Sequence, residues 1–142
     1  MLTHLYLLLG CALPLCLTFI LLDGGFMNGE HMVFAYSGVI ILGIGDTVAA
    51  LYGKEFGVSL WREGIHKKTQ EGSNALMLSV TMIYYGSVCY AYPMFSTWFF
   101  MVFLCTIPVA TLEGWTSQFD NLVCSIFYFS LLHFMHNYFS SL

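Results

Sequence analysis

The sequence predicts an all-α, polytopic membrane protein with about five transmembrane helices and a cytosolic catalytic loop. Of its 142 residues, 58% are hydrophobic and 8% are charged, against about 25% charged in an ordinary soluble domain. A chain this short has too little interior to hide that much apolar surface. Disorder needs the opposite composition. The apolar residues also come in runs near 20, the length a helix needs to cross the hydrocarbon core. One domain, 1–142, holds them all. A formal net charge of −4 argues against nucleic-acid binding, which wants a basic face.

The first run, 2–22, is interrupted only by Pro14. A signal peptide is the alternative, but no Lys or Arg precedes it and no small-residue cleavage site follows. The second run is 32–51, with Asp46 near its end. The third is 75–92, the fourth 94–112 and the fifth 121–139. Aromatic residues crowd the ends of the third and fourth runs (Tyr84, Tyr85, Tyr90, Tyr92, Trp98, Phe99, Phe100), as interfacial belts do. The five cysteines sit in or beside these runs without metal-site or redox spacing, and read as small buried hydrophobes.

Four cations, Lys54, Arg62, Lys67 and Lys68, all lie in the loop 52–74. The positive-inside rule places that loop in the cytosol. Counting spans puts the N-terminus and the 112–121 connection on the same side, and the C-terminus on the other.

Asp46 is an acid within an apolar run, which costs about 2.5–3.5 kcal/mol at a span's centre and by default marks a functional position. At about 100° per residue, Asp46, Ala49, Ala50, Gly53 and Gly57 share one helix face. Such a stripe also suits close helix packing. Lys67 and Lys68 offer point charges for phosphate oxygens, and Thr69 a hydroxyl. Gly72 allows a turn, and Ser73 or Asn74 is placed to cap the third helix, whose N-terminus favours anions. A basic loop that fixes topology and touches anionic lipid is the plainer alternative. Glu113 and Asp120 lie two helical turns apart. Acids converging on the loop that owns every cation form the pattern of a metal–phosphate site, since Mg²⁺ is usually held by one or two carboxylates plus substrate phosphates. His133 and His136 are too few ligands for a metal site; His66 stands closer to the charged loop.

Asp46-x-x-Ala49-x-x-x-Gly53-x-x-x-Gly57 with Lys67-Lys68-Thr69-x-Glu71-Gly72 resembles the CTP-binding signature of the dolichol kinase family. His4-Leu5-Tyr6-Leu7-Leu8-Leu9-Gly10, Leu112-Glu113 and Gln118-x-Asp120-Asn121-Leu122 are similar to that family as well, in its C-terminal catalytic portion. The resemblance implies a multi-pass enzyme of the endoplasmic reticulum membrane with its nucleotide site facing the cytosol. Its reaction moves the γ-phosphate of CTP onto the terminal hydroxyl of dolichol, giving the dolichyl phosphate that protein glycosylation uses. For such a reaction the converging acids would hold Mg²⁺, Asp46 with help from Glu113 or Asp120. Lys67, Lys68, Thr69, Glu71 and Gly72 would bind the nucleotide, with Ala49, Gly53 and Gly57 clearing room for it. Asp46, Glu71 and Asp120 are rival acceptors of the hydroxyl proton.

Three features depart from the pattern. Residues 58–66 make the spacer about two residues longer, Ser73 stands where Thr is common, and the family's chains are several times longer. Because the nucleotide motif is shared across the wider family, a CTP-dependent kinase of another lipid alcohol, such as diacylglycerol, is one alternative; the short length makes a truncated non-catalytic isoform another. A small channel would not account for the glycines, lysines and Glu-Gly pair at kinase spacing.

Overall fold

A computed structural model describes residues 2–21, 29–61, 68–91, 95–116 and 120–141. Helix α1 is Leu2–Leu21, α2 is Gly29–Ala35 and α3 is the single turn Ser37–Val39. A π-helical segment, Ile40–Asp46, runs directly into α4, Thr47–Phe56. Helix α5 is Gln70–Ala91, α6 is Phe95–Trp115 and α7 is Asp120–Ser140. Among the described residues the only β pairing is an isolated antiparallel bridge between Leu60 and Thr69.

Among the described residues two helices are long and apolar enough to cross a bilayer, through His4–Leu21 in α1 and Asn121–Phe139 in α7. The second apolar run is helical but not one regular helix. At Tyr36 the backbone turns to φ −84°, ψ 0°. The carbonyls of Val33 and Phe34, just before this break, accept from the Tyr84 hydroxyl at 3.1 Å and Ser37 Oγ at 2.7 Å. The wide π turns follow. Gly45 lies within them because a Cβ there would stand 2.8 Å from Val80 Cγ2 and 3.2 Å from Leu76 Cγ. The segment can thus lie directly on α5. The π segment ends on Asp46.

Helix α5 is central, packing against α4, the π segment and α6, while α7 packs on α1 and α6. Leu76, Val80 and Tyr84 of α5 meet Val102 and Val109 of α6 and Tyr128 and Leu132 of α7 in one buried core. Leu8, Phe19 and Ile20 of α1, Met82 of α5, Phe100 of α6 and Phe134 of α7 are exposed. The helices are apolar inside and outside, the pattern of helices buried in a large core or in lipid rather than facing water on one side.

Helix α1 continues through Pro14. Proline has no N–H, so the Gly10 carbonyl four residues earlier loses its helical donor. Ser125 Oγ of α7 supplies the missing bond to Gly10 O. Gly38 of α3 fits over the same point, where a Cβ would stand 3.0 Å from Ser125 Oγ and 2.9 Å from Pro14 Cγ. Ser125→Ala should therefore leave a buried carbonyl unsatisfied and destabilise the bundle by about 1–3 kcal/mol. Thermal unfolding in detergent checks this.

Candidate functional site

The loop after α4 is built by the residues at its two ends. Helix α4 stops when Gly57 becomes extended, at φ −72°, ψ 119°. Residues 59–61 then run antiparallel to 68–70: Gln70 N donates to Ser59 O at 2.8 Å and Trp61 N to Lys68 O at 3.0 Å. Thr69 caps α5. Its Oγ1 accepts from Gly72 N at 3.2 Å, and its carbonyl accepts from Ser73 N at 3.1 Å. The helix thus begins at Gln70 rather than near residue 75, and the cap is Thr69 rather than Ser73 or Asn74. A Thr at this position satisfies an amide that the helix leaves open.

Glu71, in the first turn of α5, accepts the Ser59 amide on both carboxylate oxygens, at 3.1 and 3.2 Å. Its own backbone amide, with the bonds from residue 59, holds its carboxyl below the ordinary carboxylate range. A depressed folded pKa contributes stability above the unfolded value, and that contribution is lost as pH falls through the folded value. Glu71→Gln should therefore lower the melting temperature at pH 7, with the difference vanishing well below pH 4.5, the carboxyl's unperturbed value. Melting curves across that range check the sign.

The glycines have a packing reason. A Cβ on Gly53 would stand 2.7 Å from Thr69 Oγ1, one on Gly57 2.8 Å from the same atom, and one on Gly72 2.8 Å from Ala49 O. Helices α4 and α5 meet almost backbone to backbone around the Thr69 side chain. The small residues expected to clear room for a ligand first clear room for Thr69 and α5. They also form a wall of the space beyond.

That space is a cavity of about 620 Å³, lined by Asp46, Ala49, Ala50, Gly53, Lys54, Gly57, Leu60, Lys68, Thr69, Gly72, Ser73 and Glu113. Lys68 Nζ lies 2.8 Å from Glu113 Oε1 and donates to Glu113 O at 2.9 Å. Ser73 Oγ donates to Glu113 Oε2 at 3.2 Å and accepts from Trp61 Nε1 at 2.9 Å. Glu113 is buried, and both of its carboxylate oxygens are engaged. Asp46 lines this cavity and also a small crevice behind it, shared with Leu76, Val109, Glu113, Asn121 and Cys124.

Of the residues singled out in the sequence, the wall therefore unites Asp46, Ala49, Gly53, Gly57, Lys68, Thr69, Gly72 and Glu113. Glu71 is not in it; its carboxylate is turned onto the loop amide. Lys67 lies outside the described residues, as does the Asp120 side chain, although Asp120 opens α7. Among the described residues no three His, Cys, Asp or Glu side chains gather to hold a metal. The donor set present is two wall carboxylates, of which Glu113 is already paired with Lys68. That fits an ion held by Asp46 and completed by phosphates, since Mg²⁺ takes one or two protein carboxylates beside a nucleotide. Trp61 and the acceptor role of Ser73 had no separate signal in the sequence; they are found through contacts spanning 12 residues or more.

Comparison with known proteins adds to this geometry. The chain is 33% identical over 134 residues to the dolichol kinase EVAN of Arabidopsis thaliana, covering 92% of this chain and 22% of that one. The chain resembles dolichol kinases. It is 31% identical over 138 residues to the dolichol kinase of Homo sapiens, covering 92% of this chain and 24% of the human one. It is 35% identical over 129 residues to a dolichol kinase of Schizosaccharomyces pombe, covering 88% and 23%. The chain spans about a quarter of the length of these curated relatives. No protein-family model matches it, and no solved structure does.

Proposed function

We propose that this chain carries the nucleotide site of a CTP-dependent lipid-alcohol kinase. It transfers the γ-phosphate of CTP to the terminal hydroxyl of dolichol, giving dolichyl phosphate and CDP for use in protein glycosylation. One observation carries the reading. Every described residue of the Asp46-to-Gly72 signature except Glu71 lines one cavity, and that cavity also holds the Lys68–Glu113 pair. A volume of about 620 Å³ lies within the range of small-molecule sites. The choice of CTP rests on the signature's resemblance, and the choice of dolichol on the relatives' names.

In this reading the helices sit in the endoplasmic reticulum membrane and the cavity opens to the cytosol. The broken helix 29–56, α5 and α6 cross beside α1 and α7, making five spans. The two apolar helices and the apolar exterior support membrane placement. The four cations of the 52–74 loop support the orientation.

Phosphoryl transfer depends mostly on positioning and on neutralising charge. Lys68, anchored by Glu113, presents a positive charge to the phosphates at a fixed place. Asp46 would hold a divalent cation such as Mg²⁺, which supplies further neutralisation when bound. Thr69 and the glycines keep α4 and α5 at the spacing that shapes the wall. A loose transfer puts little demand on a strong base, and Asp46 is the rival carboxylate seen in the wall.

A second reading is a non-catalytic membrane isoform that binds CTP without transferring its phosphate. Transfer of labelled γ-phosphate by the purified chain in detergent, with dolichol and diacylglycerol offered separately, separates the readings. Labelled dolichyl phosphate supports the proposal. Label on diacylglycerol alone selects the other lipid alcohol. No transfer from folded protein that binds CTP selects the non-catalytic isoform.

A further inference from the structure

Trp61 lies outside the signature residues, yet its indole touches two residues that adjoin the Lys68–Glu113 pair. Its indole lies against Gly114, where a Cβ would stand 2.7 Å from Nε1 and 2.8 Å from Cδ1. Its Nε1–H donates to Ser73 Oγ at 2.9 Å. That hydroxyl has one proton and two acceptors within reach, Glu113 Oε2 at 3.2 Å and Thr69 O at 3.4 Å. The carboxylate is the stronger acceptor because it is charged. A donor already on the oxygen polarises the hydroxyl further toward it. Without the indole N–H, Ser73 is free to turn to the carbonyl four residues back, the usual habit of a helical serine. Glu113 would then lose one of its two orienting partners, and Lys68 rests on Glu113.

We propose that Trp61 is a positioning residue of the phosphate site: through Ser73 it fixes the Glu113 carboxylate, and through Glu113 it fixes the Lys68 ammonium in the cavity wall. The inference deepens the reading of the cavity as a CTP site and rests on it for its ligand. Gly114 belongs to the same device. Any side chain there displaces the indole, although Ala is the better helix former.

The test compares Trp61→Phe, Ser73→Ala, their double variant and Gly114→Ala. Trp61→Phe keeps an aromatic ring and removes the N–H. Each protein is measured for its CTP dissociation constant with Mg²⁺ and for the acylation rate of Lys68 without nucleotide. Each single variant weakens CTP binding by about fivefold, the size of one net hydrogen bond. The double variant also weakens it by about fivefold rather than about 25-fold, because coupled residues are not additive. Lys68 acylation rises by a common factor in all four. Losses that multiply in the double variant would overturn the relay, as would unchanged Lys68 acylation in Trp61→Phe. A wild-type chain that binds no CTP would sink the nucleotide reading instead, and the Lys68 rates would still decide the relay.

Discussion

Asp46→Asn is expected to lower CTP-dependent transfer by about 100-fold or more, the scale seen when one electrostatic element of an active site is lost. The helical bundle should survive. Asp46 ends the π segment and is in contact with both the large cavity and the crevice behind it. Asn has almost the same shape, although it exchanges one acceptor oxygen for an NH₂ donor, so the packing of Gly45 on Val80 and Leu76 should be undisturbed. Asp46 is half-buried, and a near-isosteric change there should shift stability by no more than about 1 kcal/mol. What disappears is the negative charge, which a divalent cation needs and a neutral amide does not replace. Initial transfer rates set beside melting temperatures separate the two effects. Loss of activity together with collapse of the fold would assign Asp46 to structure.

Lys68→Met is expected to have the largest cost in stability at the site. Removing one partner of a buried ion pair strands the other charge, at about 3–5 kcal/mol for full burial. The Lys68 side chain is 24% exposed and that of Glu113 9%, so solvent screening brings the expected cost to about 2–3 kcal/mol. Ser73 remains as a single donor to the stranded carboxylate. Lys68→Met with Glu113→Gln removes both charges and should recover most of the stability. CTP affinity should not recover, because the phosphates have lost their cation. Equilibrium unfolding and CTP titration of the two single variants and the double test this. Recovery of affinity with stability would mean that Lys68 serves the fold alone.

Part of this architecture was open to reading from the residues. The stripe Asp46, Ala49, Ala50, Gly53 and Gly57 follows from helical periodicity, and those five residues do share the cavity wall. Convergence of the Glu113 region on the cationic loop followed from counting apolar runs and placing the cations. The pairing partners did not follow, because side-chain contacts between Lys68 and Glu113, 45 residues apart, leave no periodic trace. The break at Tyr36 and the π turns were also hidden. No Pro marks them in the chain, and the contacts beside them, from Tyr84 and Val80, come from a distant helix. Pro14 read as an interruption, and Ser125 on a distant helix explains why it interrupts nothing. Glu71 read as a site residue because it sits in the motif, yet its carboxylate secures the loop that carries Trp61.

The most direct measurement is equilibrium binding of CTP with Mg²⁺ to the purified chain in detergent, followed by the rise in melting temperature that a native-state ligand produces. Wild type, Asp46→Asn and the Lys68→Met, Glu113→Gln double variant would be compared, with ATP as competitor. CTP should stabilise the wild type saturably, ATP should compete weakly, and both variants should lose the response. A folded wild-type chain that CTP does not stabilise, or a response unchanged by removing these charges, would contradict the nucleotide reading.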